Sequence, residues 1–553
     1  MHSDDSISDG ASWYAEATVP APERPRLTFD LDVDVCVVGG GLAGLTTARE
    51  IARRGWSVAV LEAQTVASGA SGRNLGLVLP GYLESLERII ERVGLEQAKK
   101  LWALSERGLE YVRETIRETN MPGVEPVNGW LSVAKFRENP RLSEEARLLR
   151  EEFGAQADAW SAEQVREQLK SPLYQNAIHF PRAFHIHPMN YAIGLAAAAE
   201  QAGVRIFEHT PALSLDPAGI RKRVGTPSGR VRAARIVLAG NTGLGAVMPR
   251  LADSLLPITT YVATTAPLGE KLNQAIIYKG GVSDSIFADS HYRIVDGDRL
   301  MWAGGMTMWA GEPKRYAGRL AADIRRAYPQ LGRVTVDRVW SGMLGRAVHK
   351  MPQIGEMARG VWVASGFGGH GFNTTALAGE LIARGMVEGD RTWRLFSPYD
   401  LVWAGGAGGR AAAQALYWTR RIRERLNAQF SRPADLREEL TFPADAVAST
   451  IAEKTAGALA VAENPLTPAG QSTAPKIAFS ELAATPANQE SEPQAIHDTI
   501  VRKRRQKRAH RPKPGAPKNP NAAGGDGRKD EAESKIALDA EATPGAGRLP
   551  ADG

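Results

Sequence analysis

The sequence predicts an α/β protein in which a nucleotide-binding sheet is interleaved with an antiparallel β-sheet domain, followed by a disordered C-terminal tail. Three observations carry this. The apolar run Asp34-Val35-Cys36-Val37-Val38 meets Gly39-x-Gly41-x-x-Gly44, and a second apolar run, Val58-Ala59-Val60-Leu61, ends on Glu62. Alternating strand-like and helical runs flank a stretch, 257–340, of short β segments and turns such as Asp296-Gly297-Asp298. After about residue 431, Ala, Pro, Thr, Glu and Gly dominate and aromatics nearly vanish.

Each residue of the first motif has a physical task. Gly39 permits a tight turn, Gly41 lets the backbone approach a pyrophosphate, and Gly44 lets the helix pack closely on the strand. Leu42 and Ala43 open that helix, whose free N–H groups face phosphate. Glu62 follows about 20 residues on, where a carboxylate holds a ribose hydroxyl pair. Glycine-rich turns are common, so the motif gains weight from its two flanking strands and its acid. Together they read as a Rossmann-like dinucleotide site.

The remaining elements follow in order. Residues 1–30 are a polar, proline-bearing lead-in, and 31–80 form the first part of the cofactor domain. Residues 81–160 open the substrate domain. Within them 83–119 reads as a charged surface helical pair, with Leu86, Ile89, Ile90 and Val93 on one face, and 130–134 as a strand. The second cofactor part, 161–255, contains a helix over 188–203, a strand over 204–207, and two strands joined by the turn Pro227-Ser228-Gly229-Arg230. The β-rich stretch 256–344 is the second substrate part. Residues 345–432 return to the cofactor domain and end in a helix, and 433–553 form the tail.

Composition narrows the class. Of 553 residues 43% are hydrophobic and 24% charged, ordinary for a chain with a large core. No run approaches the roughly 18 apolar residues of a membrane-spanning helix. The acidic start, Met1-His2-Ser3-Asp4-Asp5, lacks an apolar signal region, so a cytoplasmic location is expected. The single cysteine, Cys36, excludes an intramolecular disulfide and reads as a small core residue. Residues 502–518 hold nine Lys or Arg and no acid; without them the formal net charge of +6 becomes −3. The basicity therefore belongs to the tail. That run suits phosphates of nucleic acid or an anionic surface, and a solvated tail without a partner suits it equally.

Two further loops select FAD over NAD. In Ala67-Ser68-Gly69-Ala70-Ser71-Gly72-Arg73-Asn74-Leu75-Gly76, small residues leave backbone N–H groups free, and Arg73 supplies positive charge. Residues 360–375 read as a strand, the glycine-rich turn Gly366-Phe367-Gly368-Gly369-His370-Gly371, and a helix that Asn373, Thr374 and Thr375 are each able to cap. A second helix N-terminus favours negative charge, which a reduced flavin carries and a nicotinamide does not.

These segments resemble the FAD-dependent D-amino-acid oxidase superfamily, which includes glycine and sarcosine oxidases, and within it the gamma-glutamylputrescine oxidoreductase-like branch. The resemblance runs from Trp13-Tyr14 to about Leu426. Besides the three loops it rests on Phe184-His185-Ile186-His187-Pro188, Leu238-Ala239-Gly240-Asn241, Leu256-Pro257-Ile258, Trp302-Ala303-Gly304-Gly305 and Met351-Pro352-Gln353-Ile354-Gly355. It implies a Rossmann-like FAD domain interleaved with a substrate domain whose sheet lies over the flavin. It also implies oxidation of a primary or secondary amine by hydride transfer to flavin N5, giving an imine that water hydrolyses. A polyamine conjugate, an N-methyl amino acid and a D-amino acid all suit that chemistry. An NAD-linked dehydrogenase and a non-enzymatic FAD-fold protein with a basic interaction tail are the competing classes.

The departures also matter. Relatives commonly read Gly-Arg-Asn-Gly-Gly, whereas Leu75-Gly76 follow Asn74 here. The sarcosine oxidase branch attaches flavin to a C-terminal cysteine and the dimethylglycine dehydrogenase branch to a histidine near the first βαβ unit. Neither residue exists here, so non-covalent FAD is expected. Sarcosine oxidases place a lysine over the flavin that promotes reaction with oxygen; the strand Arg299-Leu300-Met301-Trp302 has none, leaving oxygen or another electron acceptor open.

Amine oxidation needs no nucleophile, so the catalytic candidates are polar residues near the expected flavin. His370 lies inside the second glycine loop, and the alternative is a histidine that fixes the turn. His349, before Lys350-Met351-Pro352, faces the substrate or serves structure. Arg293 lies on a substrate-domain strand, where a guanidinium clamps a carboxylate or is simply solvated. His185 and His187 have metal-like proximity without a carboxylate cluster, so no metal site is expected.

Overall fold

The computed structural model describes residues 8–9, 12–284 and 290–430, all within the unit Met1–Phe442. Two sheets form its frame. The first has the spatial order Gln353–Ala358, Val361–Ser365, Arg230–Leu238, Leu31–Val38, Val58–Leu61, Arg205–Phe207. Its strands run parallel from Val361–Ser365 onward, and Gln353–Ala358 pairs antiparallel at the edge. Parallel strands covered on both faces read as unbroken apolar runs, which is why 34–38 and 58–61 were legible. Helix Leu42–Ala52 is buried along its whole length. A β-carbon on Gly44 would come within 1.9 Å of the Gly39 carbonyl oxygen, so only glycine lets that helix sit so close to its strand.

The second sheet runs Ser8–Asp9, Val336–Ala347, Leu255–Thr265, Arg299–Thr307, His291–Val295, Gly281–Asp284, Val127–Lys135, Tyr174–His185, Leu77–Val78, with Asp158–Trp160 branching from Tyr174–His185. It is antiparallel except at the pairings of Ser8–Asp9 and Gly281–Asp284 with Val336–Ala347 and Val127–Lys135. The sequence division gave 161–255 to the cofactor domain, yet Tyr174–His185 pairs with Val127–Lys135 in this sheet. A strand long enough to cross between domains has no composition change to mark where it does so.

Two-residue periodicity gives the sheet two different faces. Tyr261, Tyr292, Leu300, Trp302 and Val339 share one buried cluster with Ala317, Leu320 and Ile324 of helix Lys314–Ala327. Val262, Val295, Met301, Ala303 and Trp340 point the other way, into a cluster with Tyr14 and Leu75. The lead-in thus enters the core: Tyr14 is 0% exposed. Helix Lys314–Ala327 stands where the sequence reading placed short β segments, and helix Pro140–Phe153 lies in a stretch to which it assigned no element. The expected surface pair is Leu86–Val93 and Leu95–Thr119, but the second is no mere surface helix. Its Gly108 lies against the backbone of Asn373, where a β-carbon would come within 2.1 Å of the carbonyl oxygen. The tail, with its basic run, lies outside the described residues.

Candidate active site

The first glycine turn is held by backbone geometry. Gly39 adopts φ +115° and donates its N–H to the Leu61 carbonyl at 2.8 Å, tying the turn to the second strand. The Gly40 N–H donates to Glu62 Oε2 at 2.6 Å, and Glu62 Oε1 accepts from the Gln64 N–H at 2.9 Å. The carboxylate therefore closes over the turn from the end of the adjacent strand. At the mouth of helix Leu42–Ala52 the Leu42 N–H donates to Ser71 Oγ at 3.1 Å. A β-carbon on Gly41 would approach that same oxygen to 2.9 Å, so Gly41 and Ser71 together form a narrow polar cradle at the helix N-terminus. Such a cradle suits a pyrophosphate.

The loop after it is braced from three sides. Gly72 donates its N–H to the Ala67 carbonyl, and Asn74 Nδ2 donates to the carbonyls of Ala70 and Ser71, each at 2.9 Å. Asn74 Oδ1 accepts from the Gly76 N–H. Arg73 spends its Nε on the Ser68 carbonyl, while its own carbonyl accepts Trp340 Nε1–H at 2.8 Å. The loop is thus pinned to the substrate sheet.

The second glycine loop lies between strand Val361–Ser365 and helix Gly371–Ala383. Gly366 and Gly368 take φ +70° and +60°, and Gly369 leaves room beside Leu83. Its capping differs from the sequence expectation. His370, not a hydroxyl or amide side chain, is the N-cap residue, and its side chain makes no capping bond. Asn373, Thr374 and Thr375 fall inside the first turns. Asn373 Nδ2 donates to the Gly81 carbonyl at 2.9 Å, and the Thr374 and Thr375 hydroxyls donate back to the His370 and Phe372 carbonyls. The loop is thereby fastened to the segment after Leu77–Val78.

His370 stands edge-on to Trp130, with ring centroids 6.5 Å apart. Burial, reinforced by neighbouring His291, pushes its pKa down to about 4, so it is a neutral imidazole near pH 7. Its Nδ1 is buried without a hydrogen-bond partner. His291 Nδ1 meets Ser283 Oγ at 2.7 Å, and Trp130 Nε1–H donates to the same hydroxyl. Trp130, His291 and Ser283 were not singled out from sequence, because strands far apart in the chain bring them together.

His349 is committed to the backbone: Nδ1 accepts from the Met351 N–H at 3.1 Å and Nε2 lies 3.2 Å from the Asp400 carbonyl. Arg293 is only 6% exposed. Its NH1 donates to His185 Nδ1 at 2.8 Å and its NH2 to the Tyr14 hydroxyl at 3.3 Å. The open bidentate fork expected of a carboxylate clamp is therefore already engaged. His187 accepts the Asn190 N–H as N-cap of helix Pro188–Gln201. The two histidines of the His-x-His thus hold an arginine and a helix end. Among the described residues no group of three or more metal-ligating side chains comes together.

The family model for FAD dependent oxidoreductases, DAO, matches residues 34–384. This chain belongs to the DAO family of FAD-dependent oxidoreductases. Relatives support the assignment over most of their length. Gamma-glutamylputrescine oxidoreductase of Escherichia coli K12 is 33% identical over 386 residues, 69% of this chain and 89% of that protein. A probable oxidoreductase OrdL of Rhizobium meliloti is 31% identical over 383 residues, 68% and 88%. The fold matches the crystal structure of glycine oxidase from Geobacillus kaustophilus with a TM-score of 0.56 at 22% identity, covering 67% of this chain and 99% of that one.

FAD is the cofactor of this family, and the narrow polar cradle at Gly41 and Ser71 has the room and the polarity that a pyrophosphate needs. Among the described residues no helix is long and apolar enough to cross a membrane.

Proposed function

We propose that the protein oxidises a primary or secondary amine, borne by a polyamine conjugate or an amino acid, with FAD held non-covalently. The observation that carries the reading is the neutral, partly unsatisfied His370 between the FAD domain and the substrate sheet. The 33%-identical relative named for gamma-glutamylputrescine supports the amine class. When bound, FAD supplies a two-electron acceptor for the hydride of the carbon bearing nitrogen. Only a neutral amine gives up that hydride. With a pKa near 4, His370 is too weak a base to keep a proton taken from an alkylammonium. Its part is instead to accept an N–H from the neutral amine at Nδ1. Loss of the ammonium proton follows from desolvation in the pocket, which disfavours the charged form. Trp130, edge-on to His370, and the Ser283–His291 pair bonded to Trp130 are the polar neighbours of His370 on the substrate sheet. His349, with both nitrogens on backbone, holds the strand end and does not touch substrate. The cytoplasmic location and a role for the basic tail remain expectations from sequence alone.

The reading is tested by incubating the purified holoenzyme, with oxygen or an artificial electron acceptor, with gamma-glutamylputrescine, an N-methyl amino acid and a D-amino acid. Formation from at least one of them of a carbonyl product, with ammonia released from a primary amine or an amine from the N-methyl amino acid, is the expected result. Absence of both from all three, with FAD at full occupancy, contradicts it.

A further inference from the structure

A buried arginine ordinarily has a carboxylate beside it, because removing a guanidinium from water without a counter-charge costs several kcal/mol. Arg293 has none. Among the described residues its hydrogen-bond partners are His185 Nδ1 and the Tyr14 hydroxyl. Both partners are neutral. His185 Nε2 lies 3.1 Å from the Lys279 carbonyl, which takes its proton and leaves Nδ1 as an acceptor. Burial and the adjacent Arg293 push the His185 pKa down to about 3, and burial raises that of Tyr14. The Arg293 Nε is buried and has no hydrogen-bond partner among the described residues.

The position of this charge is specific. Arg293 pairs with Met301 across the sheet, so both project from the face opposite the Trp302 cluster. The Tyr14 hydroxyl that receives Arg293 also reaches the Asn74 carbonyl at 2.7 Å and Met301 Sδ at 3.1 Å. Asn74 belongs to the loop that Trp340 pins through the Arg73 carbonyl. Tyr14 itself is wedged edge-on between His187, 4.8 Å away, and Trp340, 5.8 Å away. Its segment is anchored by Asn190, which accepts the Val19 N–H and donates to the Ala17 carbonyl. A substrate clamp needs a free fork that substrate reaches; here two fixed neutral acceptors hold the fork, and the charge is left unneutralised beside the cofactor loop.

We propose that Arg293, positioned by His185 and by Tyr14 of the N-terminal segment, is a fixed uncompensated cation that stabilises negative charge on the bound flavin. The assignment rests on FAD binding and not on the identity of the amine. It also gives the N-terminal segment a function: Tyr14 joins the cofactor loop to the arginine and sets where the charge sits.

The test uses the FAD-loaded enzyme and needs no amine. Sulfite adds its sulfur lone pair to flavin N5; an S–N bond forms, and the displaced electron pair leaves the ring system negatively charged. A nearby cation tightens that adduct. Wild-type enzyme should bleach with millimolar sulfite. Arg293→Gln, which keeps polar contacts to both partners, should weaken sulfite binding by about tenfold or more, about 1.4 kcal/mol. It should also lower the flavin's midpoint potential, while Arg293→Lys retains most of both. Tyr14→Phe should shift both in the direction of Arg293→Gln, by less. An unchanged potential and sulfite affinity in Arg293→Gln at full FAD occupancy overturns the proposal. So does a raised KM confined to carboxylate-bearing amines with both flavin readouts unmoved, which would restore the clamp. If Arg293→Gln fails to fold, the wild-type measurement still decides, since no bleaching at millimolar sulfite contradicts an uncompensated cation at the flavin.

Discussion

The glycine turn at residues 39–44 and the sheet face around Arg293 both leave polar groups short of partners, and they do so by opposite means. In the turn, backbone N–H groups are left over because a helix begins there and glycines keep side chains away. A few consecutive residues build that site, and its distant helpers, Leu61, Glu62, Ala67 and Ser71, sit on adjoining segments. At Arg293 a side chain is left unneutralised because four distant segments surround it with neutral groups: Tyr14, the loop at Asn74, His185 and Met301. On the proposed reading the first arrangement would fix where FAD lies, and the second the charge it meets there. A local device tolerates little change at any position, whereas a distributed one is tuned partner by partner.

The largest effect should come from the local device. Gly44→Ala places a β-carbon 1.9 Å from the Gly39 carbonyl oxygen, which forces helix Leu42–Ala52 away from its strand. Overpacking of this kind costs about 1–3 kcal/mol or more. FAD content per chain after gel filtration should fall to a small fraction of wild type; a full complement of FAD would show that the turn tolerates displacement. Glu62→Ala should do less. It removes the acceptor of the Gly40 N–H, a charge-assisted bond of about 1.5–3 kcal/mol. Weaker FAD retention with an unaltered flavin spectrum is expected, and unchanged affinity would separate Glu62 from the cofactor.

The distributed device should show itself in acid. His185 and His187 are held neutral, with pKa values near 3 and 4, by burial and then by Arg293. An unfolded histidine has a pKa of about 6.5, so the unfolded chain binds more protons between these values. Stability is therefore fully present above about pH 6.5 and is lost as pH falls toward the folded values, by at most about 1.4 kcal/mol per pH unit for each histidine. Urea midpoints measured down this range should fall, and His187→Asn should flatten the slope. An equally steep slope in that variant would place the proton uptake elsewhere.

Smaller again is His370→Ala, which should lower the rate of flavin reduction by amine roughly fivefold, the worth of one neutral hydrogen bond of about 1 kcal/mol. FAD occupancy should not change. A loss of several hundredfold would instead make His370 a proton-transferring group. Ending the chain after Arg432 should change nothing in flavin spectrum or reduction rate; release of FAD would tie the tail to the site.

What the sequence revealed follows the same division. The run 34–44, Glu62 and the loop at 366–371 were legible because chain neighbours make them, and a glycine at a forced φ leaves a mark that one sequence displays. His370 was found because it sits within such a loop. Arg293 was found as a residue but not in its surroundings: nothing near Tyr292-Arg293 in sequence indicates that His185 and Tyr14 complete it. His185 drew notice as part of the segment that carries the resemblance and for its spacing from His187, where no metal site was expected; nothing in either signal pointed to its contact with Arg293. The capping expectation at Asn373, Thr374 and Thr375 failed by register. The helix begins at Gly371, so those side chains lie one turn inside it. The lead-in showed no strong pattern, since one buried tyrosine has no periodicity.

The most direct test of amine oxidation is anaerobic mixing of the holoenzyme with each candidate amine while the flavin spectrum is followed. The expected result is that the oxidised flavin bands disappear with at least one primary or secondary amine, at a rate that saturates with amine concentration. Bands that persist with every amine, in enzyme whose flavin dithionite still reduces, would contradict it.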